Sequence, residues 1–377
     1  MKHAVAQFAV VLVAAFTLAA CSSVSYYSQA VSGQLSLLSK RRPIAEVLAD
    51  PKTPPALRKR LKTVQRARDF ASAELGLPNN ASYRSYADLG RPYVVWNVFA
   101  APELSLAPRQ WCFPITGCVA YRGYFSKGAA IRFAKGLKQR GDDVEVEGIT
   151  AYSTLGWFSD PVLNTMLRQP GYDLAALVFH ELAHQELFVS GDTTFNESFA
   201  TAVEEEGLRR WLLHEHTPEA FRKYQERKRR QAQFIALVMR TRERLKKLYA
   251  SPVNDEAKRA GKRTAFADLK IEYAKLKKSW GGYSGYDRWF DRELNNASLV
   301  PIGSYYDYVP AFEQLLRDCD GDLKRFYRRA RRIGKLSPAE RTQEMEELLG
   351  KFRSTGADGS GDRAPASATP LPPSPSA

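Results

Sequence analysis

Apolar residues in the first part of the chain recur mainly at helical spacing. Residues 31–75 predict a helical region with a break between Pro51 and Pro55. Residues 128–140 predict a further short helix. These segments alone place a substantial helical region ahead of the middle of the chain.

Two stretches between and after these helices have a different pattern. The run 93–99 is rich in β-branched and aromatic residues, which predicts a strand. Residues 144–158 predict one or two strands, with Gly148 and Gly156 as bends or bulges. Helices together with a small amount of sheet predict an α+β fold.

From Gly171 onward the pattern is again helical. The apolar residues that set this period are Leu174, Leu177, Val178 and Leu182. The pair Gly191-Asp192 predicts a break, after which Thr193 or Thr194 can cap a second helix that ends near Leu213.

A long basic helix is predicted over residues 218–249, and a second helix follows Pro252. Apolar residues in the second helix alternate in steps of three and four, as in a coiled-coil seam: Phe266, Leu269, Tyr273, Leu276 and Trp280. The two helices therefore predict a helical hairpin held by packing. Beyond it, residues 320–352 predict further helix, and a tail rich in Gly, Ala, Ser and Pro from Ser354 on predicts disorder.

The first residues have the pattern of an export signal. Lys2 and His3 precede an apolar run over residues 8–20, which is short for a transmembrane helix. The run ends in Leu-Ala-Ala-Cys, which resembles the lipobox of bacterial lipoproteins. That resemblance implies cleavage before Cys21 and lipid on its sulfur, and Ser22 then favours the periplasmic face of an outer membrane. A plain signal peptide or an uncleaved anchor are the alternatives.

Cysteine usage agrees with export. Cys112 and Cys118 lie close together in WCFPITGC, and in an oxidising compartment a small disulfide loop is expected. A metal-binding pair is less favoured, because no second Cys or His pair lies nearby. Cys319 is then left as a buried free thiol.

The 377-residue chain has a net charge of +15, and 44% of its residues are hydrophobic. A packed core is therefore feasible. A basic protein can bind nucleic acid, but export argues against this, and the basic residues form no recognisable nucleic-acid module. Attraction to anionic lipid headgroups and a simple solvated basic surface both remain open.

The segment HELAHQELFVSGDTTFNESFA carries the candidate chemistry. His180 and His184 are four residues apart on a predicted helix, so both imidazoles can reach one zinc ion. Glu181 adjoins the first histidine and can act as a general base toward a water molecule. Two histidines and a glutamate within an apolar helix need buried partners, and a metal ion provides one.

A catalytic zinc site of this kind needs a third ligand, and Glu197 is the candidate. The break at Gly191 would let the next helix turn back toward the histidines. Asp192 and Glu186 are weaker alternatives. Glu204, two turns beyond Glu197, can hold the second nitrogen of a ligand histidine, and Thr201 is a weaker candidate for the same task.

These motifs resemble those of the gluzincins, and more closely those of the bacterial putative aminopeptidase family of exported zinc proteins. The resemblance covers most of residues 26–215. The matching segments are YYSQAVSGQLSLLSKRRPI, RPYVVWNVFAAPE, WCFPITGCVAYRGYF, AYSTLGWFSDP and HELAHQELFVSGDTTFNESFATAVEEEG. It implies a zincin-like core and zinc peptidase activity, with His180, His184 and Glu197 as ligands of one Zn²⁺ and Glu181 as base.

The chain differs from the better-known gluzincin aminopeptidases in two features that bear on the substrate. Only twelve residues separate His184 from Glu197, and the gluzincin segment that binds a free amine is missing. A strand ahead of the active-site helix is expected to line the cleft instead, and it would contribute Tyr152, Ser153, Thr154, Leu155 and Gly156. Tyr305 is the first candidate to stabilise an oxyanion, Tyr152 is the second, and Tyr306 and Tyr308 stay open.

The sequence thus predicts a lipid-anchored zinc peptidase, with an aminopeptidase expected and an endopeptidase as the rival. A non-catalytic envelope protein with structural zinc is a third hypothesis. Peptide substrate and membrane are the expected partners, nucleic acid is not, and the oligomeric state is not indicated.

The expected organisation has five parts. It comprises a signal peptide (1–20), a part with N-terminal helices, sheet and zinc-binding helices (21–215), a basic hairpin (216–281), a C-terminal helical part (282–353) and a tail (354–377).

Overall fold

The computed structural model describes residues 24–113, 117–151, 154–168, 171–302 and 307–357. Cys21, Tyr152, Ser153, Tyr305 and Tyr306 lie outside the described residues. The described chain combines many helices with small sheets, so the α+β class is confirmed. No helix in the described ranges is both long enough and apolar enough to cross a bilayer.

The described chain begins with three helices, and the predicted break lies between the second and the third. They are α1 (24–39), α2 (Ile44–Ala49) and α3 (Pro55–Ala73). Prolines at 51, 54 and 55 end one helix and begin the next, because proline lacks an N–H donor yet suits the first helical turn.

The largest sheet contributes one wall of a cleft. Its central strand β3 (Val95–Pro102) is buried along most of its length and pairs antiparallel with both neighbours. Those neighbours are β6 (Tyr121–Tyr124) and β7 (Asp142–Ile149), and α4 (Lys127–Gln139) packs against this sheet. The strand predicted at 93–99 and the helix predicted at 128–140 are thus confirmed.

The second half of the predicted 144–158 strand region is wrong. Residues 154–158 form a turn in which Leu155 and Gly156 have φ of 57° and 81°, outside the β region of the φ/ψ map. The buried carboxylate of Asp160 stabilises the turn by accepting hydrogen bonds from the backbone N and the hydroxyl of Thr154. Gly148 is no bulge either, because it pairs in register with Trp96.

Two smaller sheets complete the β-structure. One joins β1 (Arg42–Pro43), β2 (Ser85–Ala87) and β8 (Val162–Leu163). The other is a hairpin of β4 (Trp111–Phe113) and β5 (Gly117–Val119), which we call the disulfide hairpin. Cys112 and Cys118 are directly opposite in its register and form the expected disulfide.

The main core lies around two antiparallel helices, α5 (Gly171–Glu186) and α6 (Thr193–His214). Gly207 on α6 allows their close approach, because a Cβ there would lie 2.9 Å from the Phe179 ring. A 3₁₀ turn, Met166–Arg168, precedes α5.

The predicted helical hairpin is confirmed as α7 (Pro218–Ala250) and α8 (Asp255–Ser279). Its seam has its own buried cluster, which includes Phe266, Leu269 and Tyr273. Lys262 forms a 2.6 Å ion pair with Asp143 of β7 and so joins the hairpin to the largest sheet.

The remaining helices pack on α6, on the hairpin, on the largest sheet or on one another. They are α9 (Asp287–Phe290), a 3₁₀ turn (Asn296–Leu299), α10 (Val309–Arg317), α11 (Leu323–Gly334) and α12 (Pro338–Ala357). The helix α12 continues through 354–357, so the disordered tail does not begin at Ser354 as predicted. Cys319 is a buried free thiol, as expected.

The disulfide hairpin rests on the turn between α5 and α6. Gly117 has φ of +71°, and a Cβ there would lie 2.6 Å from the backbone N of Gly191. Both the backbone conformation and the contact therefore require glycine at this position.

We expect Gly117→Ala to lower the free energy of unfolding by about 2 kcal/mol or more, from left-handed strain and backbone overlap. Thermal and urea unfolding measure this. Gly136→Ala is the matched control, since Gly136 lies within α4 and a Cβ there would meet no atom within 4 Å. It should be neutral or stabilising by up to ~1 kcal/mol. Equal effects at both sites would contradict the contact.

Candidate metal centre

Helix α5 presents two histidines to a cleft. Its apolar residues, which include Leu174, Val178 and Leu182, are buried in the main core. His180 and His184 lie one turn apart, with ring centroids 4.9 Å apart and ring planes nearly perpendicular. The helical spacing thus brings both imidazoles to one place, as predicted.

A clamp made by one asparagine shapes the turn between α5 and α6. The side chain of Asn196 accepts a hydrogen bond from Val189 N and donates one to Val189 O, each at 2.7 Å. Gly191 has φ of +80° within this turn. The turn is thereby fixed through both backbone polar groups of Val189, and α6 runs back along α5.

Asp192 caps α6, so the prediction of Thr193 or Thr194 as the cap is wrong. Its carboxylate accepts a hydrogen bond from Phe195 N at 3.0 Å, and aspartate is among the strongest caps. The other carboxylate oxygen accepts from Arg341 Nε at 2.7 Å. Helix α12 therefore also holds this turn.

Glu197 follows the clamp and faces both histidines. Its Oε2 lies 3.4 Å from Nε2 of His180 and 3.6 Å from Nε2 of His184. One ligand atom from each of the three residues lies within 4.8 Å of the others, so this group can hold a metal ion.

The charges of this group depend on each other. Burial raises the pKa of Glu197, but His184 and His180 outweigh it and lower the pKa to about 2. Burial lowers the pKa of His180, but Glu197 and Glu204 outweigh it and raise the pKa well above its ordinary value. The surroundings therefore favour positive charge between the carboxylates.

Glu204 makes the predicted contact with a histidine. Its Oε2 lies 3.1 Å from Nδ1 of His180, the ring nitrogen that faces away from Glu197. A carboxylate at this position fixes the ring so that Nε2 is left for a metal. Thr201 is buried on the same helix, but among the described residues no hydrogen bond joins it to His180 or His184.

Glu181 lines the same cleft and is 5% exposed. Its Oε2 has no hydrogen-bond partner among the described residues. Burial raises the pKa of this carboxyl to about 7, although both histidines act to lower it. A buried carboxylate oxygen without a partner is costly, and it is characteristic of a group that handles protons.

The cleft has a volume of about 510 Å³. Its walls come from α1, the largest sheet, the disulfide hairpin and the two site helices. The apolar lining includes Tyr26, Tyr27, Val95, Phe113, Val119, Phe125, Ile149, Leu155 and Phe188. Of the three described residues predicted to line it from a strand, Leu155 does so from a turn, whereas Thr154 and Gly156 do not line it.

The alternative ligands have other partners. Glu186 forms an ion pair with Arg331 of α11. Asp192 caps α6 and forms an ion pair with Arg341. Tyr308 is not among the described residues that line the cleft, and its hydroxyl is engaged by Thr342 of α12.

Tyr121 is a cleft residue that the sequence reasoning missed. It lies on β6 opposite Phe99, lines the cleft, and is partly buried. Burial, and then the nearby carboxylates of Glu197 and Glu181, raise the pKa of its hydroxyl above the ordinary value. The phenol thus stays protonated and able to donate. In the sequence, only its position within the family-like segment WCFPITGCVAYRGYF pointed to a role for Tyr121.

The donor set fits zinc. Ligand atoms roughly 2.0–2.2 Å from zinc in a tetrahedron lie about 3.3–3.6 Å apart. The two measured Nε2–Oε2 separations, 3.4 and 3.6 Å, agree with this. Two imidazoles and one carboxylate also form the set that catalytic zinc sites use.

The chain was compared with protein families, curated proteins and solved structures. The family model described as "Putative aminopeptidase" matches residues 25–345. No curated protein and no solved structure matches the chain.

We expect Asn196→Ala to lower both stability and zinc affinity, because the clamp that orients Glu197 is lost. The free energy of unfolding should fall by about 1–3 kcal/mol. Zinc affinity, measured by competition with a chromophoric chelator, should fall by roughly tenfold or more. Asn196→Asp keeps the acceptor for Val189 N and should be intermediate. Unchanged zinc affinity in a destabilised Ala variant would show that the clamp does not orient Glu197.

Proposed function

The chain belongs to the putative aminopeptidase family, and from that membership we propose that it is a zinc-dependent peptidase of the bacterial cell envelope. The family description itself indicates an aminopeptidase, which is a hydrolase. The zinc ion, the roles of individual residues and the location are our proposal.

One observation carries it. The Nε2 atoms of His180 and His184 both face Oε2 of Glu197, and the buried carboxylate of Glu181 lies beside them in the same cleft. A structural zinc site has four protein ligands and no need of a base. Three ligands with an adjacent carboxylate instead match a site that hydrolyses its substrate.

In this proposal His180, His184 and Glu197 hold the ion, and Glu204 orients His180. Bound zinc would supply Lewis acidity toward a carbonyl oxygen and a lower pKa for a water molecule. Glu181 takes the proton from the attacking water and gives it to the leaving amine. Burial, which raises the pKa of Glu181 to about 7, suits a group that must both accept and release a proton.

A tyrosine hydroxyl is proposed to donate a hydrogen bond to the oxyanion. Tyr305 is the candidate from the sequence. Tyr121 is the candidate from the structure, because it lines the cleft within electrostatic range of Glu181 and Glu197.

The substrate is proposed to be a peptide with apolar side chains near the scissile bond, because the cleft walls are mainly aromatic and aliphatic. Among the described residues that line the cleft, none belongs to the helical hairpin.

An endopeptidase is the second candidate, and one observation favours it. The carboxylates among the described lining residues are Glu181, Glu197 and Asp192. The first two belong to the metal site, and Asp192 pairs with Arg341. The described lining thus offers no spare carboxylate for a substrate's α-amine.

The envelope location rests on the leader and on Cys21, which we propose is lipid-modified. The disulfide in β4–β5 agrees with an oxidising compartment. A non-catalytic binding protein accounts for the histidines but not for Glu181, whose buried Oε2 has no hydrogen-bond partner among the described residues.

The main test pairs metal analysis with peptide cleavage. The chain from Ser22 on should contain one zinc per molecule and cleave peptides with apolar residues. Glu181→Gln should keep the zinc and lose about 10²–10⁴-fold in kcat. His184→Ala should lose the zinc itself.

Peptides with a free or a blocked N-terminus then separate the two peptidase classes, because an aminopeptidase should fail on the blocked ones. Zinc in both wild type and Glu181→Gln with no cleavage of any peptide would favour the binding protein. Absence of zinc from metal-replete protein would refute the site.

Two conservative variants identify the oxyanion donor. We expect Tyr121→Phe to lower kcat about 10–1000-fold while zinc content and KM change little, because the hydroxyl acts on the transition state. Tyr305→Phe is measured beside it. A large loss in Tyr305→Phe together with normal turnover in Tyr121→Phe would assign the donor to Tyr305 instead.

A further inference from the structure

Helix α1 has a composition unlike the rest of the chain. Residues 24–39 contain no Asp, Glu, Lys or Arg, although 26% of the whole chain is charged. Its inner face packs on the protein: Tyr26 stacks on Phe113, and Gln29 accepts a hydrogen bond from Phe125 N. The inner face of the helix therefore packs on the protein, whereas its outer face is exposed and has no charged residue.

The outward face carries an apolar stripe. Its members, with their exposed fractions, are Val24 (67%), Tyr27 (42%), Val31 (58%) and Leu35 (60%). Their spacing places them on one side of the helix, with serines between them. A water-facing helix normally carries charges there, so this face is typical of a surface that something covers.

A second exposed apolar group lies at the end of the same helix. Trp157 is 69% exposed and Phe158 48% exposed, on the turn that Asp160 stabilises. Arg41, just beyond α1, donates a hydrogen bond from Nη1 to Ser159 O at 3.1 Å. That bond joins the turn to the segment that follows α1, and Tyr27 of α1 and Leu155 of the turn line the same cleft.

Basic residues accompany them. Lys40, Arg41 and Arg42 follow α1 directly and are exposed. Asp50 is an acidic partner here, 3.4 Å from Arg42. An uncharged apolar helix face, exposed aromatic side chains and a basic run together match the requirements of an anionic lipid surface: aromatic rings enter the interface and basic groups contact the headgroups.

We propose that the stripe of α1, the Trp157–Phe158 pair and the run 40–42 form one surface that lies on an anionic bilayer. The chain just upstream favours lipid over a protein partner, because Cys21 precedes the first residue of α1 by three positions. This last step rests on the proposed lipid modification and envelope location.

The surface has a consequence for the substrate. Tyr27 of the stripe and Leu155 of the turn also line the cleft. The cleft therefore opens beside the bilayer, and the polypeptides it receives are segments held at the membrane surface.

The test uses the polypeptide that starts at Ser22, which contains every described residue but lacks Cys21. Its co-sedimentation with vesicles of phosphatidylethanolamine and phosphatidylglycerol is compared with that for phosphatidylcholine alone. We expect binding to the anionic vesicles that weakens with added salt. Leu35→Glu should weaken this binding at least about tenfold, because a charge replaces an apolar side chain that the proposal buries in the bilayer.

Ile271→Glu is the matched control, since Ile271 is 55% exposed on the hairpin helix α8, outside this surface. It should bind vesicles like the wild type. Equal binding by all three proteins, or none by the wild type, would overturn the proposal. Self-association that Leu35→Glu abolishes, without vesicle binding, would also overturn it and assign the surface to a second copy.

Cleavage of a soluble peptide is measured on the same samples. Leu35 does not line the cleft, so Leu35→Glu should cleave it at the wild-type rate. If the wild type cleaves no peptide but binds vesicles, and Leu35→Glu weakens that binding, the membrane surface is supported and the peptidase proposal is refuted.

Discussion

The return of α6 along α5 is the constraint on which the site depends. The histidines come from one helix and the facing carboxylate from the next, so the metal group exists only while the turn between them keeps its shape. Asn196 fixes that turn through both polar groups of Val189. Arg341 fixes it from α12, and the disulfide hairpin covers it through Gly117. A side chain at the start of α6 and two distant segments of the chain thus act on one short turn.

Electrostatics explains why such support is needed. Glu181 and Glu197 are buried beside two histidines, and Glu204 approaches from behind His180. Buried carboxylates repel one another unless positive charge lies between them. In the proposed enzyme a zinc ion provides that charge, and the rigid helices keep the carboxylates from separating to relieve the repulsion. Among the described residues, no hydrogen-bond partner satisfies Oε2 of Glu181.

The cleft joins this centre to the outer surface of the protein. Its walls combine α1, the largest sheet and the turn at Leu155, and two of these elements also carry exposed apolar side chains. If the protein is attached to the membrane as proposed, it would take its substrates at the membrane surface. The charge of +15 would then have a physical use at an anionic membrane.

The sequence by itself determined the features that depend on local periodicity. Four-residue spacing placed His180 and His184 on one helix face, a glycine break before Glu197 indicated the return, and a seam of large apolar residues indicated the hairpin. Only the tertiary structure decided the rest, because it depends on distant partners. Asp160 stabilises a turn where a strand was predicted, the pairing of β6 with β3 brings Tyr121 to the cleft, and docking of α1 decides which of its apolar residues face outward.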